Sequence, residues 1–362
     1  MNRLFARMAA TLLAAILFTT CSVSAISAER AIVLDGQTGQ VLYEKNGDQQ
    51  ALIASTTKIM TALVVCEQCN VLDRVAIPKE AVGIEGSSMY LREGEILTVQ
   101  ELLYGLMLRS GNDAAVALAM YCGGTVEGFA ELMNDKAHRL GLTNTHFVNP
   151  HGLDAPDHYS TARDLAVLAA YAMENPIFAR TVSTKTVTIG ERSLRNHNKL
   201  LWQFDGADGV KTGFTKAAGR LLVSSAVRDG RRIIAVTMNA PDDWEDHKHL
   251  LSQAFTDYEP RVLVEAGEVI GCVEVAGGTA GTVDIIVEES FSFSMKKGEQ
   301  WHLELPDPGF VYAPVVSGQS AGYAHVFVED KAVGKLPIQY GNTVEMEQEQ
   351  RIPWWKRLFS GG

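Results

Sequence analysis

Three short groups of residues in this chain have types and spacings suited to chemistry. Ser55-Thr56-Thr57-Lys58 sets a hydroxyl and an amine three residues apart, and on a helix that spacing places both on one face within contact reach. A serine hydroxyl becomes a nucleophile when a neighbouring base takes its proton. Lysine is normally protonated at neutral pH, but burial against Ile59, Met60 and Leu63, together with a second cation, lowers its pKa toward that of a usable base. Lys211, in Lys211-Thr212-Gly213, can supply that cation. In Ser110-Gly111-Asn112 the glycine permits a tight turn that aims two polar side chains into a cleft. Each group alone has an ordinary structural explanation: a capped helix start, an N-cap turn, or a lysine emerging from the core. The occurrence of all three in order is what points to nucleophilic catalysis.

The elements that must hold these groups follow from local pattern. Ser55 to Val65 is largely apolar after its first turn and has no Gly or Pro, so it reads as a buried helix starting near Ser55. Helices are expected at 99–108 and 112–121, parted by Ser110-Gly111, and again at 126–140, 162–173 and 243–255. Ala31-Ile-Val-Leu34 and Val41-Leu-Tyr43 read as a hairpin, as do Leu221–Val227 and Ile233–Thr237 around Arg228-Asp229-Gly230. Lys211-Thr212-Gly213, just before the Leu221 strand, reads as an edge strand bordering the cleft, with Gly213 letting the backbone approach a substrate. Sheet, helices, then sheet and helix make an α+β domain. From residue 259 to 346 short strands and Gly-rich turns give a small all-β domain.

Composition narrows the function classes. With 46% hydrophobic and 21% charged residues the chain can bury a sizeable core, and its net charge of -11 offers no basic field for nucleic acid. Arg3 and Arg7 flank an apolar run, residues 8–18, followed by small residues, the order of a secretory signal peptide. Cleavage fits after Ala25 or after Ala28. Thr20 is larger than the residue expected before a lipidated Cys21, so that cysteine reads as discarded with the signal. Cys66, Cys69, Cys122 and Cys272 are too few for a disulfide-built scaffold; they read as buried thiols or one structural disulfide. Cys66-Glu-Gln-Cys69 lacks the second pair a zinc site needs, and His247 and His249, two apart on a helix, point in different directions and read as solvated. No metal or cofactor is expected.

Ala54-Ser-Thr-Thr-Lys-Ile-Met-Thr-Ala62, Ser110-Gly-Asn-Asp-Ala114, Phe147-Val-Asn-Pro-His-Gly152 and Asp208-Gly-Val-Lys-Thr-Gly213 together resemble the low-molecular-mass penicillin-binding proteins that act as D-alanyl-D-alanine carboxypeptidases, over about residues 31–345. The resemblance implies the penicillin-recognising, β-lactamase-like fold and a peptidoglycan stem-peptide substrate, with β-lactams as covalent inhibitors. It also implies roles. Ser55 attacks the penultimate D-Ala carbonyl and neutral Lys58 accepts the proton. Ser110 relays a proton toward the departing D-Ala, Asn112 holds the peptide amide, Lys211 provides positive charge and Thr212 binds the terminal carboxylate. The backbone N–H groups of Ser55 and Phe214 hold the oxyanion. Two departures stand out: His197 occupies the place of a carboxylate-binding arginine, and Asp242-Asp-Trp-Glu-Asp246 replaces a second one.

The division expected is a signal peptide at 1–28, the catalytic domain at 29–258, the all-β domain at 259–346 and a tail at 347–362. If the tail is helical, Trp354, Trp355, Leu358 and Phe359 gather on one side with Lys356 and Arg357 beside them, the pattern of an interfacial anchor at the outer face of the cytoplasmic membrane. A serine β-lactamase shares the three motifs but needs a deacylating carboxylate, and 152–158 lacks the Glu-x-x-Leu-Asn pattern. A non-catalytic module that only binds wall peptide is the other alternative, and three intact motifs argue against it.

Overall fold

Runs of β-branched and apolar residues set the central sheet. The computed structural model describes residues 26–307 and 309–348; most of the export segment and the Arg351–Phe359 tail lie outside the described residues. Arg30–Asp35 is buried over its last five residues, as a continuous apolar run should be when both faces are covered. It lies second in a five-stranded antiparallel sheet whose order is Val41–Lys45, Arg30–Asp35, Arg231–Met238, Gly219–Arg228, Ala207–Thr215. Lys211-Thr212-Gly213 therefore lies on an edge. The Asp243–Asp257 helix packs against this sheet, and so does Ala162–Glu174.

The Lys58–Gln68 helix is buried through its first nine residues, because it is packed among the helices Val99–Leu108, Asn112–Gly123, Val126–Arg139 and Ala162–Glu174. Apolar residues on all sides are what such a position requires. Its start differs from the expectation. Ala54–Thr57 is a 3-10 turn, and the α-helix begins at Lys58. The hydroxyls of Thr56 and Thr57 donate back to Ile53 O at 2.5 Å and Ala54 O at 2.8 Å, and such back-bonding tightens a turn. The Val99–Leu108 helix starts with a full capping box between Thr98 and Glu101.

Beyond Tyr258 the described chain is all β: a six-stranded sheet and a two-stranded ribbon of Tyr258–Val264 with Phe291–Lys296 enclose a second core that includes Val283, Ile285, Val326 and Ile338. One buried network ties the two domains. Arg231 donates through Nε to Asp35 Oδ2 at 2.9 Å and through Nη2 to Ser294 Oγ at 3.0 Å, while Ser294 Oγ donates to the same Asp35 oxygen at 2.9 Å.

Three further sequence readings meet the structure here. His247 is fully buried rather than solvated, held between Ser224 Oγ at 2.6 Å and Thr237 Oγ1 at 2.9 Å; its helix lies flat on the sheet and that face points inward, while His249 is exposed. Cys69 and Cys122 lie together with their sulfurs 2.6 Å apart, Cys66 is buried and Cys272 is exposed. Residues 26–28 belong to the folded unit: Ala28 is buried, and Asp246 accepts hydrogen bonds from Ser27 N, Ser27 Oγ and Ala28 N at 2.8–2.9 Å.

Candidate active site

The site is assembled around one buried amine. Lys58 is 0% exposed, and its Nζ lies 3.0 Å from Ser55 Oγ, 2.7 Å from Asn112 Oδ1 and 2.5 Å from His151 O. Burial, then the charge of Lys211, holds its pKa well below the usual lysine value, with Asp113 opposing. A neutral amine has two N–H donors and one lone pair. Asn112 Oδ1 and the His151 carbonyl can only accept, so they take the two donors, and the lone pair is left facing the Ser55 hydroxyl.

The His151 acceptor comes from the Phe147–Gly152 motif, for whose residues the sequence offered no role. Asn149 Oδ1 accepts from Gly152 N at 2.7 Å, and its Nδ2 donates to Leu153 O at 3.0 Å. This turn aims Pro150 O at Thr61 Oγ1, 2.6 Å away, and His151 O at Lys58. Gly152 is at φ +88, and a Cβ there would collide with Ala54 O; only glycine lets the turn reach the nucleophile. Ala54, immediately before Ser55, is itself at φ +44.

A second set of bonds holds that unusual residue. His158 Nδ1 accepts from Val148 N at 3.1 Å, so the proton of the neutral ring is on Nε2, which reaches Thr57 Oγ1 at 2.8 Å. Thr57 in turn donates to Ala54 O. Burial, reinforced by His146 and Lys58, pushes the His158 pKa down to about 4, keeping the ring neutral as this chain of bonds requires.

The Ser110-Gly111-Asn112 loop joins two helices, with Ser110 at φ +60 and 5% exposed on the cleft wall. Asn112 is oriented from both ends: Oδ1 accepts from Lys58, and Nδ2 donates to Glu85 O at 2.6 Å. Asp113 accepts from Ser88 Oγ at 2.5 Å, and from Met89 N and Leu91 N at 3.1 Å, which ties the 85–91 loop over the site and sets Ser87 on its wall.

The third wall is the Ala207–Thr215 strand. Lys211 is 1% exposed, donates to Thr212 O at 2.8 Å, and is pushed by burial down to about 7. Gly213 lines the cleft and is also closely packed: a Cβ there would meet Thr56 and Ala54 at 3.3–3.4 Å, so the strand is packed on the nucleophile turn itself. Thr212, Phe214 and His197 line the cleft with Ser55 and Ser110, in a space of about 290 Å³. Desolvation, Lys211 and Arg109 push His197 down to about 4, so it meets a ligand as a neutral hydrogen-bonding ring. Arg220, Asp243 and Trp244 complete the wall; the Asp242–Asp246 stretch entered the sequence reading only as a departure, and Arg220 was missed because it becomes a neighbour of Phe214 only through strand pairing. No cluster with the make-up of a metal site occurs among the described residues.

Comparison with known proteins places the chain as a whole. Residues 18–242 match the family model described as D-alanyl-D-alanine carboxypeptidase, and residues 258–346 match the penicillin-binding protein 5 C-terminal domain. The D-alanyl-D-alanine carboxypeptidase DacF of Bacillus subtilis is 33% identical over 327 residues, covering 86% of this chain and 84% of the relative. DacD of Escherichia coli is 35% identical over 326 residues, covering 85% and 84%. Penicillin-binding protein 5 from Haemophilus influenzae superposes with a TM-score of 0.77 at 33% identity, covering 89% of this chain and 98% of that one. A Streptomyces K15 DD-transpeptidase variant superposes at 0.62 over 64% of this chain, at 36% identity, and covers 98% of that one. With both domain models matched in order and relatives at 33–35% identity over more than four fifths of their length, the chain belongs to the D-alanyl-D-alanine carboxypeptidase family of low-molecular-mass penicillin-binding proteins.

Proposed function

We propose that this chain removes the terminal D-Ala from peptidoglycan stem peptides through an acyl-enzyme on Ser55. The observation that carries the reading is the fully buried Lys58 amine 3.0 Å from Ser55 Oγ, with Asn112 and His151 occupying its donors. Ser55 Oγ attacks the penultimate carbonyl as its proton passes to Lys58 Nζ. The oxyanion is held by the Ser55 and Phe214 N–H groups, of a kind worth about 3 kcal/mol each. Ser110 passes a proton to the leaving D-Ala nitrogen, Lys211 keeps the wall positive, and Thr212 and neutral His197 offer hydrogen bonds to the substrate. Asn112 acts on Lys58 as well as on the peptide amide, and Gly213 keeps the strand in place. Water then releases the shortened peptide. No cofactor takes part, and β-lactams acylate the same serine.

The working unit is the catalytic domain at 29–258, extended by the docked residues 26–28, with the β domain at 259–346, exported and held at the outer face of the cytoplasmic membrane by the tail at 347–362. The tail's aromatic and basic residues support that anchor; no described helix is long and apolar enough to cross a membrane. The net charge of -11 argues against a nucleic-acid partner. The docked Ser27 and Ala28 favour signal cleavage after Ala25. Incubating a defined pentapeptide with the purified protein should release one D-Ala by mass; Ser55→Ala and Lys58→Ala should each abolish release and penicillin labelling. Continued release by Ser55→Ala rejects the reading.

A further inference from the structure

We propose that Arg220, held in place by Asp243, is the group that binds the carboxylate of the ligand in this site. This deepens the reading of the cleft as a D-Ala-D-Ala site and rests on it. Arg220 lies near the start of the Gly219–Arg228 strand, directly opposite Phe214, and residues directly opposite in an antiparallel pair share a face. Its side chain therefore stands on the cleft wall beside the strand that carries Lys211-Thr212-Gly213. Among the described residues, Arg220 is the one Lys or Arg on that wall. Lys58 and Lys211 lie behind it, 0% and 1% exposed.

The bonding of Arg220 is one-sided. Nη2 alone reaches Asp243, at 2.8 Å to Oδ1 and 3.0 Å to Oδ2. Nε is buried and closed to solvent, without a partner among the described residues, so the donors of this 43%-exposed side chain that a ligand can reach lie at its Nη end. Guanidinium donors suit a carboxylate, so with Asp243 clamping Nη2 and Nε buried, Nη1 stays available. The Asp243 side chain is 3% exposed and that of Arg220 is 43% exposed, which is the asymmetry expected of an inner positioning residue and an outer binding residue. His197, across the cleft, stays neutral near pH 7 and brings no competing charge. Arg220 is thus a counter-charge at a position different from the two, His197 and Asp242–Asp246, at which the resemblance placed the arginines of other family members.

The test uses the purified enzyme, a D-Ala-D-Ala-terminated tripeptide, and two boronic acids that esterify Ser55, one bearing a carboxylate at the leaving-group position and one without it. Arg220→Ala should raise KM at least tenfold while kcat changes less than threefold. It should weaken the carboxylate-bearing boronic acid about tenfold and leave the other within twofold. Arg220→Lys should recover part of the loss, and Asp243→Asn should show a smaller loss with the same selectivity. Equal weakening of both boronic acids, or of neither, overturns the proposal. If neither boronic acid bound the wild-type enzyme, the Ser55 site itself would be wrong, and the Arg220 assignment with it.

Discussion

Thr57 Oγ1 lies 2.8 Å from His158 Nε2 while donating to Ala54 O at the same distance, so a ring remote in sequence sets the backbone in front of the nucleophile. Thr57→Val keeps the shape and removes both bonds. It should lower kcat for peptide about tenfold, the scale on which loss of orientation acts, with KM little changed. A kinetic comparison at constant pH checks this, and unchanged kcat would remove His158 from the positioning role.

Penicillin should form an adduct on Ser55 that outlives the peptide acyl-enzyme by orders of magnitude. Asp243 is the only carboxylate lining the cleft among the described residues, and it is engaged by Arg220. Asp154, in the loop where a deacylating residue was sought, accepts from Thr215 Oγ1 at 3.1 Å. Intact mass followed over hours reads the lifetime; rapid return to the unmodified mass would favour β-lactamase behaviour.

Asp35→Asn should destabilise the protein by about 3 kcal/mol near pH 7, because it leaves Arg231 buried without its counter-charge. Burial alone would raise the Asp35 carboxyl, but bonds from Arg231 and Ser294 more than offset that and hold it below its ordinary value. A depressed carboxyl contributes stability that is complete above the unfolded pKa, about 3.9, and is lost as pH falls through the folded value. The gap between wild type and variant should therefore close below about pH 4 in denaturant titrations. A gap independent of pH would contradict the account.

Cys69, at the end of the Lys58–Gln68 helix, and Cys122, in the last turn of the Asn112–Gly123 helix, are placed to bond. Oxidised glutathione should convert the two thiols to a disulfide, with its own disulfide reduced to two thiols. Cys66 and Cys272 would remain as the thiols counted in denaturant. A cross-link spanning 53 residues is worth at most about 4 kcal/mol, read as a higher denaturant midpoint that Cys69→Ser lacks. Four titratable thiols after oxidation would refute it.

The sequence by itself determined what depends on neighbours along the chain. The apolar run after Ser55 announced a buried helix, and three-residue spacing announced that Ser55 and Lys58 would meet. Asp35-Gly36 and Thr38-Gly39 marked the first hairpin. Tertiary structure decided everything that needs two distant segments to touch. The carbonyl of His151 is a backbone atom that any residue carries, so no residue type could announce that it would face Lys58. That Gly213 would also pack on Thr56 was decided by how the edge strand lies on the nucleophile turn. His247 looked solvated until its helix was laid on the sheet. Arg220 stood outside every motif because it reaches the site through strand register. Register and helix docking minimise the exposed surface of the whole molecule at once, and that sum cannot be read from any one segment.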